Sequence, residues 1–266
     1  MTVRTGYENG QFCWIDLLAR DMDAARHFYG ELFGWESTDV DTNGGPPYAQ
    51  FLLSGKRVAG MGQMSDEMRG RDRPASWNSY LNVDNIAATC VRVSELGGKV
   101  AGPAVDIQGV GKLAFIQDPT GAQVGLWQKG GHFGAELTQD FHCCCWNELL
   151  TRDIAAAREF YGRLFGWEFV DYTESDSKYY VVSHHGEESC GLMQMDERWG
   201  EMPPSWTVYF AVKGVDLMVD YVRQLGGFVL TRPYDIPEGR LAMVTDSQGG
   251  LFDVVEMTEQ PQEEQE

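Results

Sequence analysis

The chain is short of positive charge: 21 lysines and arginines stand against 40 aspartates and glutamates, for a net charge of −19. A phosphate backbone is held by clustered Lys and Arg that displace its counterions, so no nucleic-acid partner is expected. Metal-type cysteine spacing is missing too. Of six cysteines, Cys143, Cys144 and Cys145 are consecutive and Cys13, Cys90 and Cys190 are scattered. Neither a disulfide framework nor a thiolate zinc site follows from that pattern. There is no run of 18 apolar residues and no early apolar stretch of signal-peptide type, so no membrane partner is expected and the cytoplasm is the default location.

What is present is 43% hydrophobic and 12% aromatic, enough for a packed core. Its 266 residues allow one large domain or two medium ones. An internal repeat decides for two. Shifted by 132 residues, Trp14–Glu36 falls on Trp146–Glu168 with 16 identities in 23 positions. The register continues through Ser76-Trp77 on Ser205-Trp206, Leu96-Gly97-Gly98 on Leu225-Gly226-Gly227, Asp106-Ile107 on Asp235-Ile236, and Asp118 on Asp246. The repeat therefore covers whole domains, read as 1–130 and 141–257. The glycine-rich polar stretch 131–140 is the linker between them, and the acidic tail 258–266 is expected to be disordered.

Each copy opens with a strand and then a helix. Asp21 and Asp153 suit the helix N-cap, apolar residues recur at helical spacing, and Gly34 and Gly166 stand where a left-handed cap is needed. Tyr48–Leu53 and Arg57–Met64 read as a hairpin across Ser54-Gly55-Lys56. A second cycle follows, with a strand at Trp77–Val83, a helix at Asn85–Leu96 and strands near Lys112–Gln117 and Ala122–Gln128. Each copy is thus a pair of βαβββ units. The expected architecture is α+β: two tandem domains, each a curved, mainly antiparallel sheet with helices outside.

The segment Asp21 through Gly34, with its Ala24-Ala25 and Phe28-Tyr29, and the turn Asp118-Pro119-Thr120-Gly121 carry a resemblance. So do Asp153 through Gly166 and the turn Asp246-Ser247-Gln248-Gly249, where proline is replaced. The chain resembles the vicinal-oxygen-chelate superfamily of glyoxalases, bleomycin-resistance proteins and dioxygenases, and more narrowly its two-domain actinobacterial members labelled hydroxylase or secreted antigen. That fold hosts many chemistries, so the resemblance implies architecture more strongly than activity.

In metal-using members, His, Gln or Glu side chains on the inner face of the sheet hold a divalent ion. The resemblance places those positions on Trp14, Asn78 and Gly125 in the first copy and on Trp146, Thr207 and Asp253 in the second, with Gln63 and Gln194 nearest to the fourth. An indole offers no lone pair to a metal and only Asp253 is a strong ligand, so no metal and no cofactor are expected. A relocated site from His142, His184 and His185 with Asp253 or Glu148 is weighed against ordinary strand and turn histidines, and the ordinary reading is preferred.

Alternation puts Trp14, Asp16 and Leu18 on one face of the first strand and Cys13, Ile15 and Leu17 on the other. The first set should face the cup of the curved sheet, together with Asn78, Tyr80 and Asn82. In the second copy the equivalents are Trp146, Glu148 and Leu150 with Thr207, Tyr209 and Ala211. Cys143 and Cys145 should lie beneath the helix, with only Cys144 facing in, as small apolar residues. Each cup offers an aromatic wall, a phenol and a carboxylate, which suits a flat, conjugated small molecule. The plainer reading, with Trp14 and Trp146 simply plugging the cups, stays open.

Glu148 and Asp253 can face each other across the second cup, and crowding would raise one carboxyl toward the range of a general base. A structural ion pair of Glu148 with Arg240 is the competing expectation. The candidate catalytic residues are Glu148, Asp253 and Tyr209; the candidate ligand-binding residues are Trp14, Asp16, Asn78, Tyr80, Trp146 and Thr207. The leading reading is a metal-independent small-molecule protein, of lyase or isomerase type if it is an enzyme, as monomer or homodimer. A sequestering resistance protein and a metal-dependent glyoxalase or dioxygenase are the alternatives.

Overall fold

The computed structural model describes residues 2–173 and 178–258. From residue 259 on, the acidic tail lies outside the described residues. In chain order the elements are β1 (Thr2–Val3), β2 (Phe12–Ala19), α1 (Met22–Phe33), β3 (Glu36–Val40), β4 (Tyr48–Leu53), β5 (Lys56–Gln63), α2 (Asp66–Gly70), β6 (Ser76–Asn82), α3 (Ile86–Glu95), β7 (Lys99–Val100), β8 (Val105–Ile107), β9 (Gly111–Gln117) and β10 (Gln123–Lys129). There follow β11 (Leu137–Thr138), β12 (Cys144–Thr151), α4 (Ile154–Phe165), β13 (Glu168–Asp171), β14 (Tyr179–His184), β15 (Glu187–Gln194), β16 (Ser205–Ala211), α5 (Val215–Gln224), β17 (Phe228–Val229), β18 (Tyr234–Ile236), β19 (Gly239–Thr245) and β20 (Leu251–Met257). A 3-10 turn at Glu197–Trp199 precedes β16.

The helix caps form as their residue types require. The Asp21 carboxylate accepts from the N–H groups of Asp23 (2.9 Å) and Ala24 (3.1 Å), and Asp153 accepts from Ala156 (3.0 Å). Each such cap contributes about 1 kcal/mol by satisfying donors the helix leaves free. Gly34 and Gly166 end the helices at φ 71° and 73°, where a side chain would be strained.

The two copies build the same sheet. In the first the strand order is β3-β4-β5-β2-β6-β10-β9-β7, with β8 also on β9; in the second it is β13-β14-β15-β12-β16-β20-β19-β17, with β18 on β19. The first strands of the two units meet antiparallel at the centre, as β2 on β6 and β12 on β16. One face of each sheet is the cup. The other carries the helices, and there the copies share their cores.

One core joins Ile15, Leu17 and the α1 residues Phe28, Tyr29 and Phe33 to Phe210, Val219, Val244 and Phe252 of the second copy. The other joins Leu81, Ile116 and Leu126 of the first copy to Phe160, Tyr161 and Trp206 of the second. Reciprocal hydrogen-bond chains lock the arrangement. Trp77 Nε1 donates to the Tyr29 hydroxyl (3.0 Å), which donates to Asp246 Oδ2 (3.0 Å); Trp206, Tyr161 and Asp118 repeat this at 3.0 and 3.1 Å. The helix tyrosine and the turn aspartate of the repeated motif thus meet across the copies.

The register corrects one expectation. A β-bulge falls between Phe12 and Trp14 and another between Cys144 and Trp146. Each inserts a residue with no cross-strand partner and breaks the two-residue period. Cys13 therefore packs with Trp14 and Tyr80, and Cys145 with Trp146 and Tyr209, rather than under the helices.

Candidate functional site

In the first cup the central cross-strand pair is Asp16 with Asn78. Asn78 Nδ2 donates to Asp16 Oδ1 (2.9 Å), and the hydroxyls of Tyr80 (2.9 Å) and Tyr48 (3.3 Å) donate to Oδ2. Trp14 Nε1 donates to the Tyr48 hydroxyl at 3.0 Å. Burial raises the Asp16 carboxyl above its ordinary range, and the three donors pull it back.

The second cup repeats this relay with a longer acid. Tyr209 donates to Glu148 Oε1 at 2.8 Å, and Tyr179 is bonded both to Glu148 and to the Trp146 indole. Glu148 is 3% exposed and Asp253 1%. Thr207 Oγ1 donates to Asp253 Oδ2 at 2.9 Å. Burial pushes Glu148 up to about 7 against the partial relief of its two tyrosines. Asp253 is raised well above the carboxylate range, first by burial and then by the charge of Glu148. Tyr234, half exposed at the mouth, is pushed up to about 12 by burial and by these same two acids.

Glu148 has no ion pair with Arg240. That guanidinium is bound outside the cup by Asp216 (2.7 Å) and Asp235 (2.6 Å). The carboxylate answers to phenols because the cup strands carry tyrosines, not cations, at the reachable positions.

The pairing also relocates the fourth family ligand position. Tyr80 pairs with Gly125 in the second unit of copy one, and Asp16 with Gly60 in the first unit; Tyr209 with Asp253 and Glu148 with Gly191 repeat the relation. The mates of Gly125 and Asp253 are therefore Gly60 and Gly191, not Gln63 and Gln194. A Cβ at Gly60 or Gly191 would run into the Tyr48 or Tyr179 hydroxyl, so these glycines make room for the phenols. Gln63 donates to the Arg20 carbonyl (2.8 Å), while Gln194 donates to the Arg152 carbonyl and accepts from Ile154 N–H (3.1 Å), both at helix starts.

The donor sets do not fit a divalent ion of the family type. The first cup offers Trp14, Asn78, Gly60 and Gly125; the second offers Trp146, Thr207, Gly191 and Asp253, with one carboxylate between them. The histidines do not converge either. His142 is bonded to the Phe33 carbonyl (2.9 Å) and His184 to the Asn9 carbonyl (2.8 Å), and no group of three His, Cys, Asp or Glu residues that could hold a metal occurs among the described residues.

The cups differ in their covers. Over the first lie Tyr7, Phe133 and Ala135, packed on Trp14, Tyr80 and Trp127, with His132 edge-on to Trp14 at 4.6 Å between ring centroids. Among the described residues, the apolar cluster of the second holds only its own strand residues: Cys145, Trp146, Tyr209, Ile236, Leu241 and Val255. Tyr48, Tyr179, Tyr234 and His132 were outside the sequence-based candidates. The glycines opposite Asp16 and Glu148 were the available signal for the first two.

Paired βαβββ units closing a cup, duplicated in one chain, define a tandem small-molecule-binding fold of the glyoxalase type. The sequence model of the Glyoxalase/Bleomycin resistance protein/Dioxygenase superfamily matches residues 11–126 and again 141–254, and the chain belongs to that superfamily. It is 37% identical over 257 residues to a Mycobacterium tuberculosis protein named "Putative glyoxylase CFP32", covering 96% of this chain and 98% of that one. It is 35% identical over 265 residues to the anthracycline biosynthesis protein DnrV of Streptomyces peucetius, covering 96% of both. Among solved structures, the 2,3-dioxygenase LapB of Pseudomonas sp. KL28 superposes with a TM-score of 0.64 at 14% identity, over 98% of this chain and 97% of that one. At that identity the likeness concerns the fold alone. No helix among the described residues is long and apolar enough to cross a membrane.

Proposed function

We propose that the second cup binds a flat, conjugated organic molecule and moves a proton on it without a metal, in an isomerase- or lyase-type reaction. The observation that carries this reading is Glu148, buried beside Trp146, bonded by Tyr179 and Tyr209 and poised near neutrality, with Asp253, its carboxyl raised well above the ordinary range, two strands away. A general base works best when its pKa lies near the working pH. In the proposed step the Glu148 carboxylate takes a proton from carbon next to a conjugated carbonyl. The C–H electron pair becomes a C=C bond as the carbonyl π pair moves to oxygen, and in this reading Asp253, raised well above the carboxylate range by burial and by Glu148, donates a hydrogen bond to the resulting enolate. Tyr209 fixes the base in place. Return of the proton to another carbon completes the isomerisation.

The Streptomyces peucetius relative is named for the biosynthesis of anthracyclines, which are fused-ring aromatic compounds, and an indole and three phenols at the second cup match that ligand class. The test is deuterium incorporation at the α-carbon of 1-tetralone in heavy water, followed by NMR. Exchange above background should rise through pH 7 as Glu148 ionises, and Glu148→Gln should lower it by about 10²–10⁴-fold while retaining binding. A ligand that binds with no exchange above background would leave a sequestering protein instead.

A further inference from the structure

Residues 130–138 do not behave as a bare linker. Gly130 and His132 donate their N–H groups to the Val110 carbonyl (3.1 and 3.0 Å), and Tyr7 bonds the Ala135 carbonyl at 2.8 Å. Trp127 Nε1 donates to the His132 carbonyl at 2.9 Å. Arg57 pairs with Glu136 at 3.0 Å and donates to His132 Nδ1 at 3.0 Å. A guanidinium can only donate, so Nδ1 carries the lone pair and Nε2 the hydrogen. His132 is 7% exposed, its Nε2 has no hydrogen-bond partner, and its ring lies against the indoles of Trp14 and Trp127 at 4.6 and 5.6 Å. Burial and the Arg57 charge push the imidazole down to about 4, so it sits there neutral. A neutral aromatic ring set edge-on against Trp14, whose indole bonds a phenol of the acid relay, is what a bound small molecule would look like.

Among the described residues, the second copy lacks the two side chains that anchor this segment. Gly111 pairs with Lys129 as Gly239 pairs with Met257, and Thr258 N–H returns to the Glu238 carbonyl as Gly130 does to Val110. Up to that point the chains match. By the same register Trp127 becomes Val255 and Arg57 becomes Glu188, and in sequence His132 and Phe133 become Gln260 and Pro261. Replacing indole by isopropyl removes the donor that holds the His132 carbonyl in the first copy. The buried Glu148 and Asp253 make the second cup unfavourable to an anion, because no cation pairs with either of them among the described residues.

We propose that the first cup is a ligand site filled by the chain's own linker, so that each chain takes one uncharged aromatic ligand, in the second cup, in the pose His132 adopts against Trp14. The inference rests on the preceding reading for the second cup and stands alone for the first. It is tested with 2-naphthol and with imidazole. Wild type should bind one 2-naphthol per chain by calorimetry, with binding weakened at least tenfold by Trp146→Ala and unchanged by Trp127→Phe. His132→Gly should open an imidazole-shaped hole: 50 mM imidazole should raise its melting temperature by several degrees and leave wild type unmoved.

Two equivalents of 2-naphthol on wild type, or binding lost with Trp127→Phe rather than Trp146→Ala, would overturn the assignment of cups. Absence of any imidazole effect on His132→Gly and on His132→Ala would overturn the built-in ligand. No binding of 2-naphthol, with imidazole rescue intact, would overturn the reading of the second cup alone.

Discussion

Phe33→Ala should cost about 3–5 kcal/mol and still unfold the chain in a single transition. Phe33 is 1% exposed, and its ring packs on His142, Phe210 and Phe252 at 5.7, 5.0 and 6.1 Å between centroids, all from the second copy. The side chain leaves a cavity whose walls are the α1 helix on one side and the β16–β20 strands on the other. Neither copy can collapse into it without moving the other. The loss should therefore be transmitted to both halves, even though the substituted residue belongs to one.

Denaturant unfolding followed by tryptophan fluorescence, with hydrogen exchange mapped separately onto residues 11–126 and 141–254, measures this. Equal loss of protection in the two segments is the expected outcome. A second transition, or loss confined to the first segment, would mean that the copies are independent and the shared core contributes little to cooperativity.

Sequence periodicity made the elements legible because the signals are local. Caps at Asp21 and Asp153, left-handed ends at Gly34 and Gly166 and the hairpin at Ser54-Gly55 follow from a few neighbouring residues. The duplication then made the architecture legible. The pairing of acids with phenols was legible in part: Tyr209 with Glu148 followed from alternation, whereas Tyr48 and Tyr179 reach the acids from a strand two places away, across Gly60 and Gly191.

The bulges were not legible. One extra residue in β2 and in β12 turned Cys13 and Cys145 toward the cups, and nothing in a two-residue period announces where it slips. The role of 131–138 was hidden for another reason. Its glycines and polar residues read as a connection, while its few apolar side chains find partners only when the cup of the first copy is folded beneath them.

The acid that the second cup buries should be a cost to the fold in proportion to its use. Glu148 is held at about 7, against 4.5 for the free side chain. Between those values the unfolded chain has lost its proton and the folded chain keeps it. Folding then binds a proton, so stability is fully present below about pH 4.5 and is lost as pH rises through 7. The span corresponds to about 3 kcal/mol at 1.36 kcal/mol per unit.

The groups facing Glu148 are Tyr179 on β14, Cys190 on β15, Tyr209 on β16, Tyr234 on β18 and Asp253 on β20; burial raises the phenols and the thiol further above neutrality, and burial with the Glu148 charge raises Asp253. Glu148→Gln keeps an oxygen for the Tyr209 hydroxyl and cannot ionise. It should match wild type near pH 4.5 and exceed it by up to about 3 kcal/mol at pH 8, with a flatter dependence between. Urea unfolding at the two pH values measures the difference. A variant weaker than wild type at pH 8, with the same slope, would place the cost elsewhere and remove the case for Glu148 as a base kept near neutrality at the expense of stability.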